Sequence, residues 1–234
     1  MREDEILQAV VPFYAEIERL GYSVRASTDF DEIQRLVPQT GREKQTPMMS
    51  ISRNDFTADR AFWLFLFKGD EVVGGVAAKY DRLGDEGFGS YLRRTSREQY
   101  GRDSDPIAQI ARPVEDLLQG NIVYIGELEF RNDHRGKLAL LEAFMRVHQA
   151  LCAIKWNQTD WLYAFVPETH QRFSWIYGFM LAVPDGILWN EPEPEGRLNS
   201  HVLLATEGRF FKHVMLSARR RLERRVVKER GQKP

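Results

Sequence analysis

Residues 121–155 read NIVYIGELEFRNDHRGKLALLEAFMRVHQALCAIK, and their pattern predicts a strand, a turn and a helix in succession. It begins with β-favouring residues at 122–125 and continues with alternation to Phe130, which predicts a strand. A basic turn with a glycine follows at 131–137. The next residues predict an amphipathic helix, because apolar side chains recur at spacings of three and four: Leu140, Phe144, Val147, Leu151 and Ile154. A strand, a basic turn and a helix N-terminus together suit a phosphate.

The elements around this stretch are as informative as its own residues, since one glycine between a strand and a helix is ordinary turn chemistry. Upstream, 62–68 and 71–80 are two β-type runs joined by Gly69-Asp70, which predicts a hairpin. Downstream, 160–166 predicts another strand, and 168–176 predicts a short helical stretch.

This order of elements resembles the GNAT acyltransferase superfamily across residues 62–205. In that family the fourth strand ends in a splay or bulge, and a loop of the form Arg/Gln-x-x-Gly-x-Gly/Ala opens the next helix. Arg135-Gly136 match the Arg-Gly pair. Asp133 stands at the first motif position, and Leu138 stands at the second glycine with Ala139 after it. An acid near pyrophosphate is unfavourable unless neighbouring cations offset it.

The resemblance implies an α/β (α+β) fold with a mixed, mostly antiparallel central sheet flanked by helices. It places a single GNAT-like domain at 1–208, with an insertion at 83–120 and a basic helical tail at 209–234. Within the insertion, which is a lid, a pocket wall or a surface excursion, Asp105-Pro106 is predicted to open a helix. The predicted strands 186–190 and 198–205 resemble the family's last hairpin.

Composition indicates a globular protein with a full core, because 43% of the 234 residues are hydrophobic. The single Cys152 excludes an intrachain disulfide. The longest apolar runs fall short of the roughly 18–20 residues that span a bilayer, and the N-terminal residues are acidic, unlike a signal peptide. We therefore expect a cytoplasmic protein.

Residues 209–234 carry ten Lys/Arg and two Asp/Glu, a net charge of +8, whereas the whole chain has a net charge of −1. Such a tail could contact nucleic acid or an anionic membrane. The alternative is a helix docked on the acidic body or on a partner subunit in a homodimer. We favour the alternative, because base-stacking aromatics are absent from the most basic part of the sequence.

The resemblance implies acyl-CoA, acetyl-CoA or a longer homologue, as a co-substrate. Its phosphates and pantetheine are expected on the strand end and on the loop, and the polar segment 40–60 is expected to bind the acceptor. The residues implied in binding acyl-CoA are Leu128, Phe130, Arg131, His134, Arg135, Gly136, Lys137, Leu138 and Ala139. No Cys/His cluster has metal-ligand spacing, so no metal is expected.

Catalysis of N-acyl transfer needs a base for the attacking amine and a proton for the departing thiolate. Glu127 and Glu129 point to one face while the strand stays regular, and either is a candidate base, directly or through water. The alternative is that both carboxylates pair with the arginines of the loop. Tyr177, which directly precedes the Gly178-Phe179 pair, is the candidate acid or a core aromatic.

Three functions follow from these residues. The first is acyl transfer from acyl-CoA, or from an acyl carrier protein, to an amine of a small molecule or peptide. The second is a ligand-binding or interaction module without catalysis, which Asp133 and Leu138 favour. The third is a protein bound to nucleic acid or membrane through its tail.

Overall fold

The computed structural model describes residues 2–101 and 104–231, with side chains described up to residue 227. The helices are α1 (Glu3–Arg19), α2 (Phe30–Leu36), α3 (Phe88–Tyr100), α4 (Arg112–Leu117), α5 (Leu138–Lys155), α6 (Ser174–Tyr177) and α7 (Phe211–Gly231). The strands are β1 (Ser23–Ser27), β2 (Ala61–Lys68), β3 (Glu71–Arg82), β4 (Ile107–Ile110), β5 (Asn121–Phe130), β6 (Trp161–Pro167), β7 (Leu181–Val183), β8 (Ile187–Trp189) and β9 (His201–Glu207).

A seven-stranded sheet in the order β1-β2-β3-β5-β6-β9-β7 forms the centre of the described chain. Its neighbours are antiparallel except for β5 and β6, which run parallel. The predicted fold class, a mixed and mostly antiparallel sheet flanked by helices, is confirmed. The predicted hairpin is also confirmed, as β2 and β3.

The sheet is buried on both faces, which explains why β2 is apolar throughout rather than alternating. Phe62, Leu64 and Leu66 face one core, shared with α1, α5 and α7. Trp63 and Phe65 face the other core, which α2, α3 and α4 cover. The insertion at 83–120 therefore supplies part of the second face of the sheet.

Two predictions about the elements on this second face of the sheet are wrong. Asp105-Pro106 does not open a helix: β4 comes first, and α4 follows at Arg112. The strand predicted at 186–190, observed as β8, does not pair with β9 but with β4, and β9 pairs with β6 and β7. Pairing between distant strands depends on tertiary packing, such as Ile107 against Trp189, which local sequence does not encode.

The basic α7 lies against the body of the protein. Its buried residues Phe211, Met215 and Leu222 join the core beside α1 and α5. Arg221 and Arg225 both form ion pairs with Glu142 of α5, whose side chain is 2% exposed. This is the docked arrangement favoured for the tail, and the residues beyond 231 lie outside the described part.

Two further properties concern α5 and the helices as a group. Cys152 of α5 is buried, and burial raises the pKa of its thiol. Within the described ranges, the helices are too short or too polar to cross a membrane.

Candidate active site

A cleft of about 600 Å³ opens where β5 and β6 separate. The two strands pair only across residues 122–124 and 161–163, after which β6 stays with β9 along its whole length. The two strands therefore diverge. The edge of β5 beyond Tyr124 lines the cleft together with residues 164–166 of β6. The splay that the resemblance implies is thus present.

A bulge in β5 sets the shape of the cleft wall. The register with β3 passes from Gly126 opposite Ala77 to Glu129 opposite Gly75, so two residues of β5 face one residue of β3. Glu127 in this bulge has a φ of +60°, a left-handed conformation that is uncommon outside glycine. The regular strand assumed for Glu127 and Glu129 is therefore wrong at this point.

Glycine on β3 makes room for the strand end. A Cβ at Gly74 would lie 2.5 Å from Cδ1 of Phe130 and 2.9 Å from the carbonyl oxygen of Glu129. A larger residue there would push β5 away, so Gly74 fixes the close approach of the two strands at the bulge.

Glu127 is the most buried carboxylate in the cleft lining, with a side chain that is 2% exposed. Its Oε1 accepts hydrogen bonds from the backbone N–H of Thr46 at 3.1 Å and from the Thr46 hydroxyl at 2.6 Å. Its Oε2 lies 3.5 Å from Nε of Arg42 and has no hydrogen-bond partner in the described chain. One oxygen is therefore anchored by Thr46, and the other is without a hydrogen bond in the described chain.

Glu129 has a different environment. Its side chain is 22% exposed, forms an ion pair with Arg135 and lies 3.9 Å from Arg42. This is the arrangement in which the carboxylate flanks the loop and pairs with one of its arginines.

The loop after β5 places backbone and basic side chains at the mouth of the cleft. Gly136 has a φ of +80°, and its α-carbon faces open space where a Cβ would be. Arg135 donates from Nε to the carbonyl oxygen of Phe130 at 2.9 Å. Lys137 precedes α5, whose N-terminus has no side-chain cap in the described structure. Unpaired N–H groups in a first helical turn attract anions.

The sequence-predicted binding residues divide into two groups. Those that line the cleft are Leu128, Phe130, Arg135, Gly136, Lys137 and Leu138. Ala139 lies in the first turn of α5 behind them. Arg131 and His134 are directed elsewhere: Arg131 pairs with Glu71 and Asp133 at 3.0 Å, and Nδ1 of His134 lies 2.9 Å from the hydroxyl of Tyr22.

Asp133, the acid at the first position of the motif, is neutralised by its neighbour. Hydrogen bonds from Arg131 hold the pKa of the Asp133 carboxyl below its usual range. The pair keeps the charge of Asp133 on the outer side of the loop, so the departure from the motif leaves the cleft lining basic.

Tyr177 lies on the opposite wall of the cleft and is 5% exposed. Its hydroxyl lies 3.2 Å from Nδ1 of His170. Burial raises the pKa of Tyr177, so the phenol stays protonated at neutral pH.

Sequence reasoning missed several residues that complete the cleft. Arg42 and Thr46, which hold Glu127, lie in the segment 40–60 assigned to the acceptor, but no motif marked them. The inner end of the cleft is formed by Tyr124, Phe165 and Arg197, and Arg197 follows an acidic loop that carries no catalytic signature. These residues are distant in the chain and meet only in the folded structure, so no sequence motif could have identified them as a group.

The arrangement fits an acyl-CoA thioester. A diverging strand pair accommodates an extended chain, and Arg135 and the uncapped start of α5 suit a phosphate. Lys137 also lines the cleft, and its Nζ donates to the hydroxyl of Tyr22. Within the described ranges, no group of three or more His, Cys, Asp or Glu side chains is placed to hold a metal ion.

Comparison with known proteins gave matches among solved structures. No family model matches the chain, and no curated protein matches it. The chain is similar to FeeM, an N-acyl amino acid synthase from uncultured soil microbes. The identity is 14% and the TM-score is 0.47, and the alignment covers 85% of this chain and 97% of FeeM.

It is also similar to ElaA of Escherichia coli, at 18% identity, 80% and 99% coverage and a TM-score of 0.45. NAA60 of Arabidopsis thaliana in complex with acetyl-CoA matches at 12% identity, with 80% and 99% coverage and a TM-score of 0.43. These three likenesses have identities of 12% to 18% and cover 80% to 85% of this chain.

Proposed function

We propose that the protein is an N-acyltransferase that moves an acetyl or longer acyl group from acyl-CoA to an amine of a small molecule or peptide. The observation that carries the proposal is the buried Glu127, which faces a cleft whose mouth is lined by Arg135, Lys137 and the start of α5. A proton acceptor and an anion site at two places in one cleft suit an amine and a phosphorylated thioester.

The donor would enter between β5 and β6 with its phosphates on the loop. Gly136 lets the backbone approach the phosphates closely, and Arg135 and Lys137 supply charge. The pantetheine chain would follow the open edge of β5, where the backbone of Leu128 and Phe130 is the candidate for polarising the thioester carbonyl. The same basic mouth also suits the phosphopantetheine of an acyl carrier protein.

The reaction is a direct displacement. The amine nitrogen attacks the thioester carbon, the new C–N bond forms and the C–S bond breaks. The proton of the amine passes to Oε2 of Glu127, directly or through one water. The departing thiolate takes a proton from the hydroxyl of Tyr177, which burial keeps protonated.

The alternative is a ligand-binding module that has lost catalysis. Asp133 and Leu138 depart from the motif, and this favours the alternative. Against it stands the ion pair that turns Asp133 towards Arg131, together with a Glu127 that is anchored at one oxygen and unbonded at the other.

Three variants test the proposal. Calorimetric titration with acetyl-CoA should show saturable binding that Arg135→Ala weakens and Gly136→Glu abolishes. Glu127→Gln preserves the contacts with Thr46 but cannot accept the proton, so kcat for acetyl transfer to a panel of amines should fall about 10²- to 10⁴-fold with acetyl-CoA affinity unchanged.

The matched control is Glu18→Gln, which changes an exposed carboxylate of α1 outside the cleft lining and should leave kcat unchanged. Normal binding of acetyl-CoA with no transfer to any amine would favour the module without catalysis. Equal activity of Glu127→Gln and the unmodified protein would remove Glu127 from the mechanism.

A further inference from the structure

Arg197 is a buried cation at the inner end of the cleft, with only 4% of its surface exposed. Its Nη2 donates to the hydroxyl oxygen of Tyr124 at 3.2 Å and to Sδ of Met48 at 2.6 Å. Its Nη1 lies 3.5 Å from the carbonyl oxygen of Gly196, and its Nε has no partner in the described chain. These acceptors are weak for a group that carries a full charge.

The arginines that line the cleft differ in their acidic partners. Arg42 lies near Glu127 and Glu129, and Arg135 pairs with Glu129. Arg197 forms no ion pair with any Asp or Glu in residues 2–101 and 104–227, and a guanidinium stays protonated at any pH a protein tolerates. It is therefore the cleft arginine whose charge is not balanced by a carboxylate of the described chain.

Aromatic rings surround the guanidinium. Its central carbon lies 4.9 Å from the ring centre of Phe165 and 5.9 Å from those of Tyr124 and Trp189. Cation–π contacts of this kind compensate part of the cost of burial, and they hold the planar group in one orientation. They do not saturate its N–H donors.

Two short paths connect Arg197 with Glu127. On one side, the ring of Tyr124 lies against Gly126, where a Cβ would be 2.7 Å from Cε1, and its hydroxyl accepts from Arg197. On the other side, Thr46 binds Glu127, and its Cγ2 would lie 3.2 Å from a Cβ at Gly196. The base and the cation thus share one end of the cleft.

We propose that the acceptor amine carries a carboxylate, which Arg197 binds while the amine faces Glu127. The acceptor class would then be amino acids or closely similar amino carboxylates. This inference rests on the proposed acyl transfer and specifies its acceptor. A carboxylate would supply the missing counter-charge, and a guanidinium can receive its two oxygens in parallel. An amine without that charge would leave the buried cation unbalanced.

The test compares two matched acceptor mixtures with acetyl-CoA as the donor. One contains L-amino acids with free carboxylates, and the other contains the corresponding amino-acid amides. Mass spectrometry of the N-acetyl products gives relative kcat/KM. The unmodified protein should favour the carboxylates by about 100-fold or more, because unmatched buried polar groups reject analogues strongly.

Arg197→Met should lower kcat/KM for the carboxylates by about 100-fold and change that for the amides by less than about threefold. Arg197→Lys should recover part of the preference, because it restores the charge without the fork. The matched control is Arg25→Met: Arg25 is an exposed arginine of β1 that pairs with Glu32 and does not line the cleft, and its loss should leave the preference unchanged. Thermal melting of each variant checks folding.

Equal use of both mixtures by the unmodified protein would overturn the inference. An equal loss for both mixtures in Arg197→Met and Arg197→Lys would do the same, since it indicates a structural role. If the unmodified protein transfers acetyl to neither mixture, the proposed function fails in this assay, and binding decides the inference separately. Saturation-transfer NMR should then detect the carboxylate mixture bound to the unmodified protein and not to Arg197→Met. The absence of this difference would overturn the inference.

Discussion

Two buried arginines, Arg146 on α5 and Arg197 at the cleft, show how differently one side chain is used in this fold. Arg146 is fully buried and donates to the carbonyl oxygens of Trp175 and Ile176 at 2.9 Å and to the side-chain oxygen of Gln149. Arg197 is almost as buried but meets a phenol, a thioether and aromatic rings.

The difference lies in the acceptors. Two backbone carbonyl oxygens accept from the guanidinium of Arg146, so that arginine joins α5 to α6, and it does not line the cleft. The groups around Arg197 accept weakly. Nε is without a partner in the described chain in both arginines, so the two differ in their other acceptors and in their position, because Arg197 lines the cleft and Arg146 does not.

The largest expected effect is on stability. Arg146→Met removes a buried donor to the carbonyl oxygens of residues 175 and 176 and to the side chain of Gln149, so the free energy of unfolding should fall by about 3 kcal/mol. Arg197→Met, which orphans no carbonyl of comparable strength, should change it by about 1 kcal/mol or less. Urea denaturation of the two variants measures both values, and equal losses would contradict the comparison.

A smaller effect concerns His148, a second buried polar side chain on α5. Neither ring nitrogen has a hydrogen-bond partner within the described chain, and burial lowers the pKa of His148 to about 3. Unlike an arginine, a histidine avoids the cost of a buried charge by releasing its proton. In the unfolded chain a histidine has a pKa of about 6.5, so the unfolded chain binds the proton at a higher pH than the folded chain does.

The stability that His148 contributes is therefore full above about pH 6.5 and is lost as the pH falls towards 3, by about 2 kcal/mol at pH 5. Urea denaturation at pH 7 and pH 5 should show a smaller loss for His148→Leu than for the unmodified protein. Burial also lowers the pKa of His201, to about 4, so part of the acid sensitivity should remain in the variant. An unchanged loss would show that His148 takes no part in it.

The smallest expected effect is at the mouth of the cleft. Glu129→Gln removes the acid that pairs with Arg135, which frees that charge for a phosphate. Because Arg135 is more than half exposed, the gain should be no more than about 1 kcal/mol, a twofold to fivefold tighter binding of acetyl-CoA. Calorimetry at low and high salt checks it: weaker binding at low salt would show that Glu129 supports the loop instead.

The sequence carried enough information for the elements that depend on local patterns. The turn at Gly136 and the hairpin of β2 and β3 both follow from residues close in the chain.

The rest of the site depends on contacts between distant residues. Thr46 lies 81 positions from Glu127 in the chain, and Arg197 lies 73 positions from Tyr124. The bulge at Glu127 arises from the register with β3 and from the close approach at Gly74. A pair of glycines inside the predicted strand, Gly74-Gly75, was the signal available for that approach.

The position of Cys152 has a practical consequence for measuring how the protein opens. It is the single cysteine of the chain, it is buried in α5, and its raised pKa keeps it as the unreactive thiol. A thiol reagent therefore modifies the native protein only when α5 separates from its neighbours. The labelling rate of this one residue would report how often the helix behind the cleft opens, without any introduced probe.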